Sequence, residues 1–180
     1  RPMALKVAVQ MDPIDKINID ADSTFRIMEE AQARGHRLFY YTPDKLAFDE
    51  GRVTARGWPV EVRRVKGDHF TLGAEEVIDL ADWDVVWLRQ DPPFDMGYLT
   101  TTYVLERLRP GTQVVNDPFW VRNYPEKLLV LNFPALTPPT MVARPTSRTV
   151  CRRLTTIWSA RVVRSRTERT SERTAIDTIG

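Results

Sequence analysis

Apolar positions along the chain come in two rhythms. Leu5-Lys6-Val7-Ala8-Val9-Gln10-Met11 is a short, β-branched run suited to a buried strand, and Asp12-Pro13 stops it because proline cannot continue a strand ladder. A polar stretch leads to Asp22-Ser23, either of which can cap a helix beginning near Thr24. Phe25, Met28, Ala31 and Gln32 then recur at helical spacing, and Gly35 supplies a left-handed stop. Leu38 to Tyr41 reads as a second strand ended by Thr42-Pro43. Strand, capped helix, glycine, strand is a βαβ unit, whose crossover makes the two strands parallel.

The alternation changes from Leu46 to Val65. Arg52 to Arg56 and Val60 to Arg63 alternate apolar with polar, and Asp49-Glu50-Gly51 offers a turn, which predicts a small, half-exposed antiparallel excursion. Trp83 to Leu88 is a third core strand. Tyr98 to Leu108 is a helix with apolar Leu99, Tyr103, Leu105 and Leu108, ended by Pro110-Gly111. Gln113 to Asn116 is a fourth strand, Asp117-Pro118 opens a helical region, and Pro125-Glu126-Lys127 begins another helix carrying Leu128, Leu131 and Phe133. Thr140 to Ala143 is a last short strand. These elements predict an α/β fold: an open, mostly parallel sheet with helices on both faces.

Composition adds bounds. The 180 residues are 42% hydrophobic and 28% charged, which is globular composition and excludes a wholly disordered or fibrous chain. No run approaches the ~18 apolar residues of a membrane span. Cys151 is the single cysteine, so no disulfide within the chain and no thiolate metal cage can form, and a cytoplasmic setting is expected. The net charge of +2 conceals an asymmetry: residues 145–180 carry eight arginines against three acids, leaving the first 144 residues at −3. That Arg/Thr/Ser-rich tail has no sustained apolar period. It reads as text from a shifted reading frame, as a disordered extension, or as a basic arm for RNA or a protein surface. In the same vein, Met3 is expected to be the true start.

Candidate chemistry sits in three loops that leave strand ends, where ligands gather in such sheets. The first, Asp12 to Ser23, runs into a helix start whose free N–H groups favour an anion; Asp22 and Ser23 can also be simple caps. The second, Leu88 to Asp95, holds Arg89, whose partner is either a substrate carboxylate or the internal Asp91 or Asp95. The third joins Asn116-Asp117-Pro118 to Lys127, a residue suited to phosphate or to solvent. His36 and His69 stand far apart, which supports neither a histidine metal pair nor a triad, and no glycine-rich phosphate loop is present. From the residues alone this is a small-anion-binding α/β domain without a complete catalytic set.

Several long motifs then stand in one order: MDPIDKINIDADSTFRIMEEAQARGH, LRQDPPFDMGYLTTTYVLERL, VVNDP and PEKLLVLNFPALTPPT. Over about Leu5 to Ala143 the chain closely resembles the bacterial glutathione synthetases. The resemblance implies a Rossmann-like, pre-ATP-grasp domain over 3–118, the truncated start of an ATP-grasp region over 119–144, and the unpatterned tail over 145–180. It implies ATP-dependent ligation of γ-glutamylcysteine to glycine through an acyl phosphate with Mg2+, and allows homo-oligomers of the full-length enzymes. On matching motifs, Asn18, Asp22, Ser23, Arg89 and Asp91 are similar to residues that meet the peptide, and Lys127 to the lysine that reaches ATP. The family's second nucleotide lysine, glycine-rich lid and metal ligands have no counterpart after Arg144, so this chain is expected to be truncated and inactive alone. The alternative is a non-catalytic anion-binding module with a basic tail; membrane and nucleic-acid partners are not expected.

Overall fold

The computed structural model describes residues 3–124 and 126–138. The expected strand at 140–143 and the tail at 145–180 lie outside the described residues. The chain divides into two compact units, the first reaching Lys127 and the second beginning at Leu128.

The first unit is built on a parallel core. Strand β1 (Lys6–Gln10) leads through a single turn at Ile14–Lys16 to helix α1 (Ser23–Ala33), and the chain returns as β2 (Arg37–Tyr41), parallel to β1. The expected βαβ unit is therefore present. Its cap is Asp22, whose carboxylate accepts the Phe25 N–H at 2.7 Å, and Gly35 takes the positive φ of 84° that closes the helix. Alternation fixes the faces of the sheet. Val7, Val9 and Met11 pack with Phe25, Met28 and Ala31 on the α1 side. Ala8, Phe39 and Tyr41 join Val86, Leu88, Leu105 and Val114 on the other.

The antiparallel part is larger than the sequence pattern predicts. Strand β3 (Leu46–Asp49) is followed by β4 (Arg52–Val62), one continuous strand where two short ones are expected. The first half of β4 pairs with β3 and with β6 (Glu76–Asp79), and its second half with β2 and with β5 (Phe70–Leu72). Gly57 stands where β4 changes neighbours. A Cβ there would collide with the Tyr40 carbonyl oxygen and lie 2.9 Å from Tyr41 Cβ, so only glycine lets these backbones meet. Gln32 ties α1 to this strand, donating to the Val62 carbonyl at 2.8 Å and accepting the Val62 N–H at 2.7 Å.

Strand β7 (Val85–Leu88) returns to the parallel core beside β1, and helix α2 (Met96–Glu106) crosses to β8 (Gln113–Val115), parallel to β7. Helix α2 starts two residues earlier than expected because Asp95 caps it through the Tyr98 N–H at 3.0 Å. Its inward face is Thr101, Thr102 and Leu105, whereas Tyr103, expected among the apolar contacts, is 58% exposed. That ring instead carries the Arg122 guanidinium, 4.1 Å from its centroid, and Arg122 also pairs with Glu106 at 2.6 Å. Arg122 lies on α3 (Pro118–Asn123), which Asp117 caps through the Phe119 N–H at 2.9 Å.

Helix α4 (Glu126–Leu129) spans the division between the units, and within the second unit a turn at Val130–Asn132 follows. With helices on both faces of the core, the described residues form the open, Rossmann-like α/β sheet expected from the sequence.

Candidate functional site

The carboxyl ends of β1 and β7 lie side by side, because the Arg89 N–H donates to the Gln10 carbonyl at 2.8 Å and extends the ladder past Leu88. The loop after β1 and the N-terminus of α1 arrive at the same edge. The site is assembled from these three pieces.

Arg89 is half-buried. Its Nε donates to Thr24 Oγ1 at 2.9 Å and its Nη2 to Ser23 Oγ at 2.8 Å. Hydroxyls orient a guanidinium without neutralising it, and among the described residues no carboxylate pairs with Arg89. Neither internal partner considered from the sequence is used: Asp95 caps α2, and the Asp91 N–H donates to Asp12 Oδ2 at 2.7 Å. Among the described residues, both Nη1 hydrogens and the second Nη2 hydrogen of Arg89 make no hydrogen bond; they stand next to the first N–H groups of α1, where the helix dipole favours negative charge.

Of the residues singled out from the sequence, Ser23 and Arg89 are in direct contact. Asp22 is half-buried and acts as the α1 cap. Asn18 shapes the approach: its Oδ1 accepts the Asp20 N–H at 3.1 Å, and its carbonyl accepts the Ala21 and Asp22 N–H groups, each at 2.9 Å. Asp91 is exposed beside Asp12. Lys127 falls in α4, and nothing of its side chain is described. Both histidines have structural work. His36 Nδ1 accepts the Leu5 N–H at 3.1 Å, while buried His69 donates from Nε2 to the Ile14 carbonyl at 2.7 Å and meets Phe25 edge-on.

Sequence reasoning did not single out Thr24, Gln10, Gln90 or Tyr98. Thr24 has the most readable signal, a second hydroxyl next to the capping pair at a helix start. Gln10 is wholly buried at the end of β1, an unusual place for a carboxamide; its Nε2 donates to Gln90 Oε1 at 2.5 Å, and among the described residues its own Oε1 has no partner. The Tyr98 hydroxyl is held above the ordinary phenol range by burial; Arg89 opposes that shift, and Asp91 and Asp12 add to it, so all three charges act on one ring. Among the described residues no group of three or more His, Cys, Asp or Glu side chains converges on a point.

A shallow recess of about 370 Å³ lies on the antiparallel part, lined by Asp44, Lys45, Leu46, Ala47, Thr54, Arg56 and Val77. It shares no residue with the strand-end site. Its lysine is already engaged, 4.0 Å from Glu75 and 6.0 Å above the Trp58 ring.

Comparison with known proteins identifies the family. Residues 5–122 match the family described as prokaryotic glutathione synthetase, N-terminal domain. Over 142 residues the chain is 59% identical to a glutathione synthetase of Brucella melitensis and 56% identical to one of Rhodopseudomonas palustris; over 141 residues it is 54% identical to one of Agrobacterium fabrum. These alignments cover 79%, 79% and 78% of this chain but 46%, 45% and 44% of the relatives. The chain thus spans less than half the length of the curated relatives it matches. This Rossmann-like core is matched as the N-terminal domain of the prokaryotic glutathione synthetases, and to that family the chain belongs.

Proposed function

We propose that this chain supplies the peptide-holding half of a cytoplasmic glutathione synthetase, which joins γ-glutamylcysteine to glycine at the expense of ATP. The observation that carries the reading is Arg89: a guanidinium fixed by two hydroxyls, left without a carboxylate partner, beside a helix N-terminus. Such a group is built to receive a carboxylate from outside. Ser23 and Thr24 aim it, Asn18 and Asp22 hold the loop and helix start that present those hydroxyls, and Asp91 lies on the opposite loop.

In the whole enzyme, ATP phosphorylates a substrate carboxylate, glycine attacks the acyl phosphate, and Mg2+ relieves the charge of the phosphates. Among the described residues no cluster of three or more His, Cys, Asp or Glu side chains is present, and Lys127 is assigned to ATP on motif similarity alone. What the strand-end residues do is bind and orient the dipeptide. The ligation is a property of the longer protein, so these 180 residues by themselves are expected to bind but not to turn over.

The test is titration of the chain with γ-glutamylcysteine, followed by NMR. Replacing Arg89 with alanine removes a charge-assisted contact and is expected to weaken binding by about tenfold or more. Arg89→Lys keeps the charge but not the fork, and should fall between. Equal affinity in wild type and Arg89→Ala refutes the reading. Phosphate release by the chain alone with γ-glutamylcysteine, glycine and Mg-ATP refutes the division of labour.

A further inference from the structure

We infer that His69 is a positioning residue for the strand-end site, holding both ends of the loop that brings Ser23 and Thr24 to Arg89. This rests on the ligand-holding role proposed for Arg89 and adds what fixes its hydroxyl partners in place.

Twelve residues separate Gln10, the last of β1, from Ser23, the first of α1. Ordering such a length of chain costs entropy, so its anchor points decide where the two hydroxyls stand. The first anchor is Ile14, which is 2% exposed. Its N–H donates to the Tyr40 hydroxyl at 3.1 Å, and its carbonyl accepts from His69 Nε2 at 2.7 Å. A carbonyl can only accept, so the His69 ring carries a proton on Nε2. At the far end of the loop the same ring meets Phe25 edge-on, with centroids 5.7 Å apart. Phe25 lies in the first turn of α1, and its N–H is the one bound by the Asp22 cap. One imidazole thus spans the loop, from the turn after β1 to the start of the helix.

The hairpin of β4 and β5 holds that imidazole from behind. The ring packs edge-on against Phe70 at 4.9 Å, and the His69 carbonyl accepts the Arg63 N–H at 2.9 Å. Nearby hairpin positions grip the same loop and helix: Lys66 pairs with Asp20 at 2.5 Å, Arg64 with Glu29 at 2.6 Å, and the Val62 backbone with Gln32. The ion pairs reach into solvent and contribute little, whereas the bond from His69 to Ile14 is buried. A leucine would fill the space between Phe25 and Phe70 equally; what the imidazole adds is an N–H for the loop.

The experiment measures γ-glutamylcysteine binding to the 180-residue chain by NMR titration, with the Arg89 Nε–H signal as a local reporter of its bond to Thr24. His69→Leu keeps the apolar bulk and removes the donor. It is expected to weaken binding by about tenfold, by populating loop positions that do not present the hydroxyls, and to shift or broaden the Arg89 signal. His69→Gln, whose amide nitrogen can reach the Ile14 carbonyl, should restore affinity to within about threefold of wild type. Val114→Ala opens a cavity on the other sheet face; it controls for lost stability and should bind as wild type does. Should His69→Leu fail to fold, Tyr40→Phe, which frees the Ile14 N–H and keeps the ring, replaces it with the same expected result. Wild-type affinity or an unmoved Arg89 signal in His69→Leu overturns the inference, as does an equal loss in Val114→Ala or no rescue by glutamine. If wild type does not bind the dipeptide, the Arg89 reading falls; the Arg89 signal in His69→Leu then decides the positioning role, which stands if it moves and is overturned if it does not.

Discussion

Replacing Asp22 separates two roles that the sequence cannot tell apart: holding helix α1 in place and touching a ligand. Its carboxylate accepts the Phe25 N–H at 2.7 Å, and the first turn of α1 carries no other acid. Asp22→Ala removes both the capping bond, worth about 1 kcal/mol, and the favourable charge at the helix start, worth about 0.3–1 kcal/mol. Asp22→Asn keeps the bond and loses the charge. The expected losses are about 1.5–2 kcal/mol for alanine and under about 1 kcal/mol for asparagine. For a domain of this size the alanine loss corresponds to a fall in Tm of about 5 °C. Urea unfolding followed by tryptophan fluorescence reads both variants. Because the cap positions Ser23 and Thr24, and through them Arg89, alanine should also weaken γ-glutamylcysteine binding more than asparagine does. Two results refute the reasoning: an alanine variant as stable as wild type, or an asparagine variant as unstable as alanine.

Three further outcomes follow from the packing. Gly57→Ala forces a methyl group against the Tyr40 carbonyl and should cost about 3 kcal/mol in urea denaturation, far more than the same change at Gly111, whose nearest neighbour to an added Cβ is 3.7 Å away. Gln32→Leu leaves the N–H and carbonyl of buried Val62 unpaired and should cost about 2–4 kcal/mol, with faster hydrogen exchange at Val62. The hydrogen bond from Arg64, opposed by burial and helped by Arg26, holds the Glu29 carboxyl below its ordinary value of 4.5. The stability this contributes is complete above about pH 4.5 and is lost as the pH falls through the lower folded value. Glu29→Gln should therefore flatten the urea midpoint between pH 6 and pH 3; an unchanged curve refutes the link.

The βαβ unit was legible because its signals are local: a run of β-branched residues, a cap three residues before Phe25, a glycine stop. Strands β5 and β6 were not, since Phe70–Leu72 and Glu76–Asp79 are only three and four residues long, too short to establish a period. The alternation covers only 52–56 and 60–63, yet β4 runs on through Gly57 and Pro59, the glycine serving the close approach to Tyr40. Tyr103 was placed inside by its apolar ring, while Thr101 and Thr102 took the buried face and Thr102 returned its hydroxyl to the Leu99 carbonyl. At the site, Arg89 stood out for its type and its place after a strand. Its pairing with Ser23 and Thr24 did not, because they lie more than 60 residues away and meet it through the pairing of β1 with β7. Asp12 read as a strand stop for the same reason.

The position of β1 has a consequence for how the polypeptide is made. It emerges before the other described strands, yet one of its two neighbours, β7, is not complete until residue 88. In the interval Val7 to Gln10 present an open, hydrophobic ladder on that side, the kind of edge that recruits stray chains. A nascent chain stalled between β2 and β7 should thus be markedly stickier than one released after β7, with holdase chaperones gathering on it and leaving once that strand closes the gap.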